Sequence, residues 1–360
     1  MKTYPEFIKR TLYDLIQGIS DHAWLYSNDP CRDFTRNRKL SFEKTLIHLI
    51  GMGGGPMRNE LMDYFRCSAD MPSVSAFVQR RSKIMPEVLA FLFHEFTDSC
   101  VKSNLYKGYR LLAADGTDLQ ITANPNDKGS YYPSVCGRKH YSMLHLNALY
   151  DLLSRTYLDA LIQKSRTANE NAALVKMVDR LSLQEPAIVI ADRGYEAYNN
   201  LAHIEQRGWK YLIRIKAKQG VMDSFPVPDN TECDFTAHII LTRKQTNEVK
   251  QKMKDNPGLY RFIPSSSTFD FLDLHEKRFY ELDFRIVRFI LPDGSFETLI
   301  TNLDAASFPP AELKKLYFRR WGIETSFRQL KYTVGLDQFQ SKKVENITQE
   351  IFARLIMYNF

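Results

Sequence analysis

The amino-acid sequence predicts an α/β fold in which a mixed β-sheet is flanked by helices. Residues 105–215 alternate between strand-like and helix-like segments, an order typical of a layered α/β core. Residues 1–104 carry the apolar spacing of helices, which predicts an α-helical N-terminal domain. Residues 216–303 form a β-rich insertion in this prediction, and residues 304–360 return to helical spacing. The fold prediction depends on these three changes of pattern.

Composition and charge narrow the functional classes. The chain has 360 residues, of which 44% are hydrophobic and 25% charged, as in ordinary globular proteins. It contains no apolar run of about 18 residues, and its N-terminus lacks the apolar core of a secretory signal. We therefore expect a cytoplasmic, nucleoid-associated protein with no membrane partner. The net charge of +7 favours a polyanion, and five scattered cysteines indicate neither a disulfide framework nor a zinc ribbon.

The N-terminal region is predicted to be a set of helices joined by glycine-rich or polar breaks. The predicted helices cover residues 42–50, 58–65, 74–81 and 86–96. Ser73 precedes the third helix as a candidate N-cap, and the helix would carry Gln79, Arg80 and Arg81 outward. Such a helix is suited to a DNA groove, although a helical bundle with a solvated basic face explains the same residues. We predict that this region binds DNA.

The core is predicted to contain three strands, a helix, a strand, a helix and a final strand. In chain order these segments cover residues 111–122, 145–155, 156–163, 170–183, 186–191, 197–207 and 211–215. Asp115 and Asp192 stand where apolar strands run out. Open α/β sheets usually place their sites there, although Asp-Gly and Asp-x-Gly are also common turn sequences. Asp118 is a weaker candidate, because it lies beyond the turn residue.

The insertion is predicted to be polar and irregular from residue 216 to residue 284, where prolines such as Pro226 and Pro228 interrupt the chain. A β-hairpin follows, because residues 285–291 and 296–301 have strand character and flank the turn Pro292-Asp293-Gly294. We therefore expect a β-rich segment between the core and the last helical region.

The last region begins with a helix that is predicted to run from Pro309-Pro310 to Gly335. At about 100° per residue, four polar side chains fall on one face of this helix: Tyr317, Arg320, Glu324 and Lys331. A carboxylate among cations can hold a hard metal ion while the cations bind phosphates. The alternative is an exposed, salt-bridged helix. The chain stops inside an apolar run, residues 351–360, so we expect an incomplete C-terminus or a truncated copy.

The spacing Tyr317-x2-Arg320-x3-Glu324-x6-Lys331 resembles the Y-(2)-R-(3)-E-(6)-K signature of bacterial insertion-sequence DDE transposases, the group called insertion-sequence family four. Two further motifs are similar to that family: Ala114-Asp115-Gly116-Thr117 on an early strand, and Ala191-Asp192-Arg193-Gly194-Tyr195 after a later strand. The resemblance covers roughly residues 105–345. It implies an RNase H-like mixed sheet with a β-rich insertion before the last catalytic helix.

The resemblance also implies roles for individual residues. Three would be metal-binding, catalytic carboxylates: Asp115, Asp192 and Glu324. Three would be DNA-binding side chains that contact phosphates: Tyr317, Arg320 and Lys331. The implied cofactor is Mg²⁺, with Mn²⁺ as an alternative and two ions expected. Cleavage of a phosphodiester by two metal ions needs hard oxygen ligands that meet from separate elements, which favours the same assignment.

The function implied by the resemblance is DNA transposition by a homodimer. Such an enzyme binds the terminal inverted repeats of an insertion sequence, cleaves the ends by hydrolysis and joins the freed 3′ ends to target DNA. Two alternatives stay open at this point. One is a truncated, non-catalytic DNA-binding copy that acts as an inhibitor, and the other is a nuclease on the same fold that cuts without joining.

Overall fold

The computed structural model describes residues 3–36, 38–100, 102–135, 137, 139–216, 220–225, 231–273 and 278–360. The α-helices within these residues are α1 (Tyr4–Asp21), α2 (Phe42–Gly51), α3 (Met57–Phe65), α4 (Val74–Arg81), α5 (Glu87–Cys100), α6 (Glu170–Arg180), α7 (Tyr198–Gln206), α8 (Asn247–Asp255), α9 (Pro310–Phe318), α10 (Trp321–Tyr332) and α11 (Val344–Asn359). The strands are β1 (Arg110–Ile121), β2 (Tyr131–Tyr132), β3 (Tyr141–Asp151), β4 (Thr156–Lys164), β5 (Ala187–Ala191), β6 (Lys210–Arg214), β7 (Cys233–Thr242), β8 (Tyr260–Phe262), β9 (Tyr280–Ile290) and β10 (Phe296–Thr301).

The N-terminal helices α1 to α5 share one hydrophobic core with the C-terminal helix α11. Leu46 of α2, Phe93 of α5 and Ile351 of α11 are fully buried in it. The sequence predicts four of these N-terminal helices and not α1. Because α11 contributes to the same core, the two ends of the chain stabilise each other.

Helix α4 does not carry its arginines outward as the sequence predicts. Ser73 caps the helix as expected, since its side chain accepts a hydrogen bond from the Ala76 amide (3.2 Å). Arg81, however, is 1% exposed and forms an ion pair with Glu350 of α11 (2.7 Å), and Arg80 is half-buried. The outward orientation is wrong for Arg81 because its partner lies 269 residues further along the chain, beyond the reach of local pattern.

Five strands form the centre of one continuous sheet in the order β4–β3–β1–β5–β6. Strand β3 is antiparallel to both β4 and β1, whereas β1, β5 and β6 are parallel. Helices α6 and α7 pack on one face of the sheet, and α9 and α10 cover the other. Three antiparallel strands followed by two parallel ones are the RNase H-like arrangement, which confirms the predicted fold class.

The segment predicted as an insertion extends this sheet. Strand β10 pairs antiparallel with β6, and β9, β7 and β8 follow outward. The predicted hairpin is present as β9 and β10. The stretch predicted to be irregular contains β7, α8 and β8, while Pro226 and Pro228 lie outside the described residues. The prediction of an irregular segment is wrong for β7, whose apolar and polar residues alternate from Cys233 to Ile239 as in a half-buried strand.

Among the residues that the structure describes, no helix is long and apolar enough to cross a membrane. Four cysteines are described as free thiols: Cys31, Cys67, Cys100 and Cys233. The fifth, Cys136, lies outside the described residues.

Candidate active site

Two neighbouring parallel strands bring the predicted aspartates to one position in the sheet. Ala114 of β1 pairs with Ala191 of β5, the last pair in the register between these strands, and Asp115 and Asp192 follow directly. Each carboxylate accepts a hydrogen bond from a nearby backbone amide, at 2.9 Å for Asp115 and 2.8 Å for Asp192. The expectation that a strand ends at Asp115 is wrong, because β1 continues to Ile121 along its pairing with β3. Asp192 does follow the end of β5, and the register of β1 against β5 places it beside Asp115.

Glu324 lies on a helix that is shorter than the sequence predicts. The expected single helix is divided into α9 and α10, because the backbone tightens between Phe318 and Trp321. The amides of Arg320 and Ile323 there donate to carbonyls three residues earlier, at 2.9 and 3.1 Å. Arg320 keeps helical backbone angles (φ −50°, ψ −35°), so the chain continues in nearly the same direction. The prediction of one uninterrupted helix is wrong. Arg320 and Glu324 nevertheless stay on the same side of the chain across the tightened turn.

Arg320 links the carboxylate of the helix to the carboxylate of the first strand. Its Nη2 donates to Glu324 Oε1 at 2.7 Å, and its Nη1 lies 3.5 Å from Asp115 Oδ2. Asp192 and Glu324 are near enough to Asp115 for both negative charges to raise its pKa. The tertiary structure thus brings together all three predicted metal-binding carboxylates, from β1, from the end of β5 and from α10.

The environment of Asp115 disfavours the negatively charged form of its carboxyl group. The pKa of Asp115 is raised to about 6, chiefly by burial and also by the charges of Asp192 and Glu324. The Gly116 amide and the Arg320 guanidinium act in the opposite direction. Crowded carboxylates of this kind are stabilised by a cation, which is the role that the guanidinium fills here.

The donor set fits a hard divalent cation. Asp115 and Glu324 both turn an oxygen towards one positive group, and carboxylate oxygens are the preferred ligands of Mg²⁺. In the described part of the chain, no three His, Cys, Asp or Glu side chains already surround a single point closely enough to enclose an ion. Because Arg320 lies between Asp115 and Glu324, the side chains must rearrange before these oxygens can share one.

The three predicted DNA-binding residues differ in how they are held. Tyr317 is 3% exposed, and its ring packs 5.9 Å from the Arg320 guanidinium. Burial raises the pKa of Tyr317. Lys331 is half-buried and donates to Thr117 Oγ1 (2.6 Å) and to the carbonyl of Asp118 (2.9 Å). Arg320 and Lys331 therefore lie at the site and donate to groups of β1 and α10. Arg320 Nε is buried and has no hydrogen-bond partner among the described residues, and Tyr317 lies behind Arg320.

Other polar side chains beside this site are absent from the sequence-based prediction. His145 of β3 stands opposite Asp118 in the register of β1 and β3, with Nδ1 2.8 Å from Asp118 Oδ1. Its Nε2 lies 3.0 Å from Oε1 of Glu170, the first residue of α6. No motif joins these residues, because they belong to three separate elements. The one local signal is Asn169, whose side chain caps α6 and fixes the position of Glu170.

The sequence of the chain matches one protein family and is similar to several curated proteins. Residues 106–360 match the family described as transposase DDE domain. The chain is similar to the transposase for insertion sequence element IS231B of Bacillus thuringiensis subsp. berliner, with 21% identity across 94% of this chain and 79% of that protein. It is also similar to the transposase for insertion sequence element IS231D of Bacillus thuringiensis subsp. finitimus, with 23% identity across 69% of this chain and 54% of that protein.

A shorter similarity joins the chain to the transposase InsG for insertion sequence element IS4 of Escherichia coli (strain K12), with 39% identity across 17% of this chain and 14% of that protein. Among solved structures, a piggyBac transposase synaptic complex with hairpin DNA aligns with 97% of this chain and 71% of its own chain. The sequence identity is 10% and the TM-score is 0.47.

Proposed function

The chain belongs to the transposase DDE domain family, and from this premise we propose the reaction that it performs. It is a DNA transposase that binds the ends of an insertion sequence, hydrolyses a phosphodiester at each end and joins the 3′ ends to target DNA. The observation that supports this proposal is that Asp115 and Glu324 both contact the Arg320 guanidinium, while Asp192 is near enough to Asp115 for its charge to raise the pKa of Asp115.

Transposase DDE domains use divalent metal ions, and Asp115, Asp192 and Glu324 would hold them here. We propose Mg²⁺, with Mn²⁺ as a substitute, and two ions. When bound, two such ions activate the attacking hydroxyl and stabilise the leaving oxygen. The carboxylates must be ionised to act as ligands, and at neutral pH Asp115, with a pKa of about 6, is mostly ionised.

The cations of the site hold the DNA backbone in this proposal. The planar guanidinium of Arg320 would bind a phosphate through two parallel hydrogen bonds when the two carboxylates serve as metal ligands. Tyr317 packs behind Arg320 and limits the directions in which the guanidinium points. Lys331 exchanges its bonds to Thr117 and Asp118 for a phosphate next to the cleavage point.

We propose that residues 1–104 bind the terminal inverted repeats. A cavity of about 590 Å³ in this region is lined by Arg32, Arg36, Arg38, Arg80 and Lys83, together with Asp29, Cys31, Asp33 and Thr35. The excess of cations favours a phosphate backbone. Residues 105–215 and 304–360 form the catalytic core in this division, and residues 216–303 the insertion. Two copies of the chain act together, because each of the two ends needs an active site.

One experiment separates this proposal from its alternatives. The protein is incubated with DNA that carries the terminal repeats of its element, with supercoiled target DNA and with Mg²⁺. Joined products support the transposase, cut but unjoined products support a nuclease, and a bound intact duplex supports a non-catalytic DNA-binding copy. The Glu324→Gln variant serves as the control, because it keeps the shape of the side chain and lacks one proposed metal ligand.

A further inference from the structure

A histidine and a glutamate form a second polar pair close to the proposed metal site. The imidazole of His145 lies between two carboxylates, with Nδ1 2.8 Å from Asp118 Oδ1 and Nε2 3.0 Å from Glu170 Oε1. The side chain of His145 is only 12% exposed, so these contacts fix its orientation. The contact of His145 with Glu170, at the start of α6, is an ion-pair distance without hydrogen-bond geometry.

The Glu170 carboxylate lies beside the backbone that follows each of the two proposed catalytic aspartates. A Cβ on Gly116, the residue after Asp115, would stand 2.9 Å from Glu170 Oε1 and would also collide with His145. At Gly194, the position of a Cβ lies 3.0 Å from Asp192 Oδ1 and 3.5 Å from Glu170 Oε2. The carboxylates of Glu170 and Asp192 therefore approach the same point in space.

The strand geometry explains how a residue of α6 reaches this site. Helix α6 packs on one face of the sheet, whereas α10, which carries Glu324, packs on the other. Strand β5 ends at Ala191, which pairs with Ala114 of β1. Beyond this pair β5 no longer lies beside β1, so side chains from the two faces of the sheet can meet there. Glu170 enters from one face and Glu324 from the other, and both reach the end of β5.

A buried hydroxyl group points to the same place. Tyr195 is 1% exposed, and in the part of the chain that the structure describes its hydroxyl has no hydrogen-bond partner. Besides burial, the charges of Glu170, Asp115 and Asp192 raise the pKa of Tyr195. Buried hydroxyls in folded proteins nearly always have a partner, so this one indicates a missing group such as a water or a metal-bound water.

We propose that Glu170 is a fourth metal-binding carboxylate of this active site and that His145 is the residue that positions it. The inference rests on the proposed function. Three carboxylates leave one positive charge unbalanced when two divalent ions are bound, and a fourth carboxylate balances it. Glu170 contacts an ion directly or through one of its waters, close to the hydroxyl of Tyr195. The alternative is a structural role, in which the negative charge of Glu170 only stabilises the positive N-terminal end of the α6 dipole.

The test measures Mn²⁺ binding to the full chain without DNA, by the loss of the paramagnetic resonance signal of free Mn²⁺. The variants are Glu170→Gln, Asp115→Asn and, as a matched control, Glu248→Gln, an exposed residue of α8 that forms an ion pair with Lys252. Glu170→Gln is expected to weaken Mn²⁺ binding by about tenfold or to remove one bound ion, and Asp115→Asn to weaken it at least as much. Glu248→Gln should bind Mn²⁺ like the unmodified chain.

The outcomes separate this proposal from the proposed function. If Asp115→Asn weakens Mn²⁺ binding and Glu170→Gln does not, Glu170 is not a metal ligand. The proposed function, with three carboxylate ligands, is then still supported. If Asp115→Asn has no effect, the metal site itself is misassigned and both proposals fail. Thermal unfolding without metal checks that each variant folds, and Glu170→Asp, which keeps the charge, replaces Glu170→Gln if that variant is unfolded.

The role of His145 has its own readout. His145→Ala frees the Glu170 carboxylate and should weaken Mn²⁺ binding, whereas His145→Gln keeps an N–H donor and should restore part of it. Equal Mn²⁺ affinities for the two variants would overturn the positioning role.

Discussion

Arg320 and Glu324 form an ion pair across one turn of the chain, with Nη2 2.7 Å from Oε1. The same guanidinium lies 3.5 Å from Asp115 Oδ2. One arginine therefore neutralises part of the charge that a helix and a strand bring together, and it occupies the direction from which a metal ion would approach both carboxylates. Binding of DNA and binding of metal are linked through this side chain in our proposal.

Glu324→Gln is expected to abolish DNA cleavage while leaving DNA binding intact. The amide keeps the shape of the side chain but removes a charged oxygen ligand. Loss of several kcal/mol of stabilisation in the transition state corresponds to a decrease of about 10³-fold or more in the cleavage rate. Cleavage is measured on labelled terminal-repeat DNA, and binding by electrophoretic mobility shift. Cleavage at the rate of the unmodified chain would show that Glu324 is not an active-site ligand.

Arg320→Ala is expected to change metal and DNA affinity in opposite directions. Without the guanidinium, Asp115 and Glu324 lose a competing cation, so Mn²⁺ should bind about tenfold more tightly, as expected for the loss of a charge-assisted hydrogen bond. DNA should bind more weakly, because a phosphate contact is missing. Mn²⁺ titration and DNA-binding isotherms measure the two effects. A decrease in both affinities would instead indicate that Arg320 only supports the local fold.

Asp115→Asn is expected to stabilise the metal-free protein at pH 8 and not at pH 4. Burial raises the pKa of Asp115 to about 6, above the value of about 3.9 in an unfolded chain. Between these values the folded chain holds a proton that the unfolded chain has released, so stability decreases as the pH rises through this interval. At pH 8 the buried charge costs up to about 3 kcal/mol, which asparagine avoids.

The comparison is made by urea denaturation in the presence of a chelator at both pH values. The difference in unfolding free energy between Asp115→Asn and the unmodified chain should be positive at pH 8 and close to zero at pH 4. An equal difference at the two pH values would show that the pKa of Asp115 is not raised.

Arg81→Ala is expected to be strongly destabilising. Arg81 and Glu350 form an ion pair at 2.7 Å, and their side chains are only 1% and 2% exposed. Removal of the arginine leaves the glutamate charge buried, which costs about 3 to 5 kcal/mol in unfolding free energy. Arg10→Ala is the control, because the pair of Arg10 with Asp14 is largely exposed and should contribute less than about 1 kcal/mol. Similar losses in the two variants would contradict the burial of Arg81.

Lys331→Ala is expected to weaken DNA binding and to reduce its dependence on salt. One phosphate contact contributes a slope of about 0.9 in the logarithm of affinity against the logarithm of salt concentration, so the slope should fall by about one. Lys9→Ala, an exposed change in α1, is the comparison. A slope that matches that of Lys9→Ala would mean that Lys331 keeps its bonds to Thr117 and Asp118 in the DNA complex.

Much of the fold and of the site could be predicted from local sequence. Asp115 interrupts the apolar run of β1, Asp192 follows the apolar strand β5, the hairpin of β9 and β10 surrounds a Pro-Asp-Gly turn, and the polar face with Glu324 has helical spacing. Each of these signals depends on residues that are close in the chain. The division between α9 and α10 escapes prediction, because a turn with hydrogen bonds three residues apart keeps nearly the same spacing as a helix.

The sequence by itself determined which side chains were available for chemistry and on which kind of element each one lies. Only the tertiary structure decided which of them meet. The parallel register of β1 and β5 places Asp115 beside Asp192, and the packing of α10 on the sheet adds Glu324. Packing of α4 against α11 buries Arg81 against Glu350, and packing of α6 on the sheet brings Glu170 to His145 and to the backbone that follows Asp115 and Asp192. Local preferences cannot specify such contacts, because they form between residues far apart in the chain and depend on how the whole sheet is assembled.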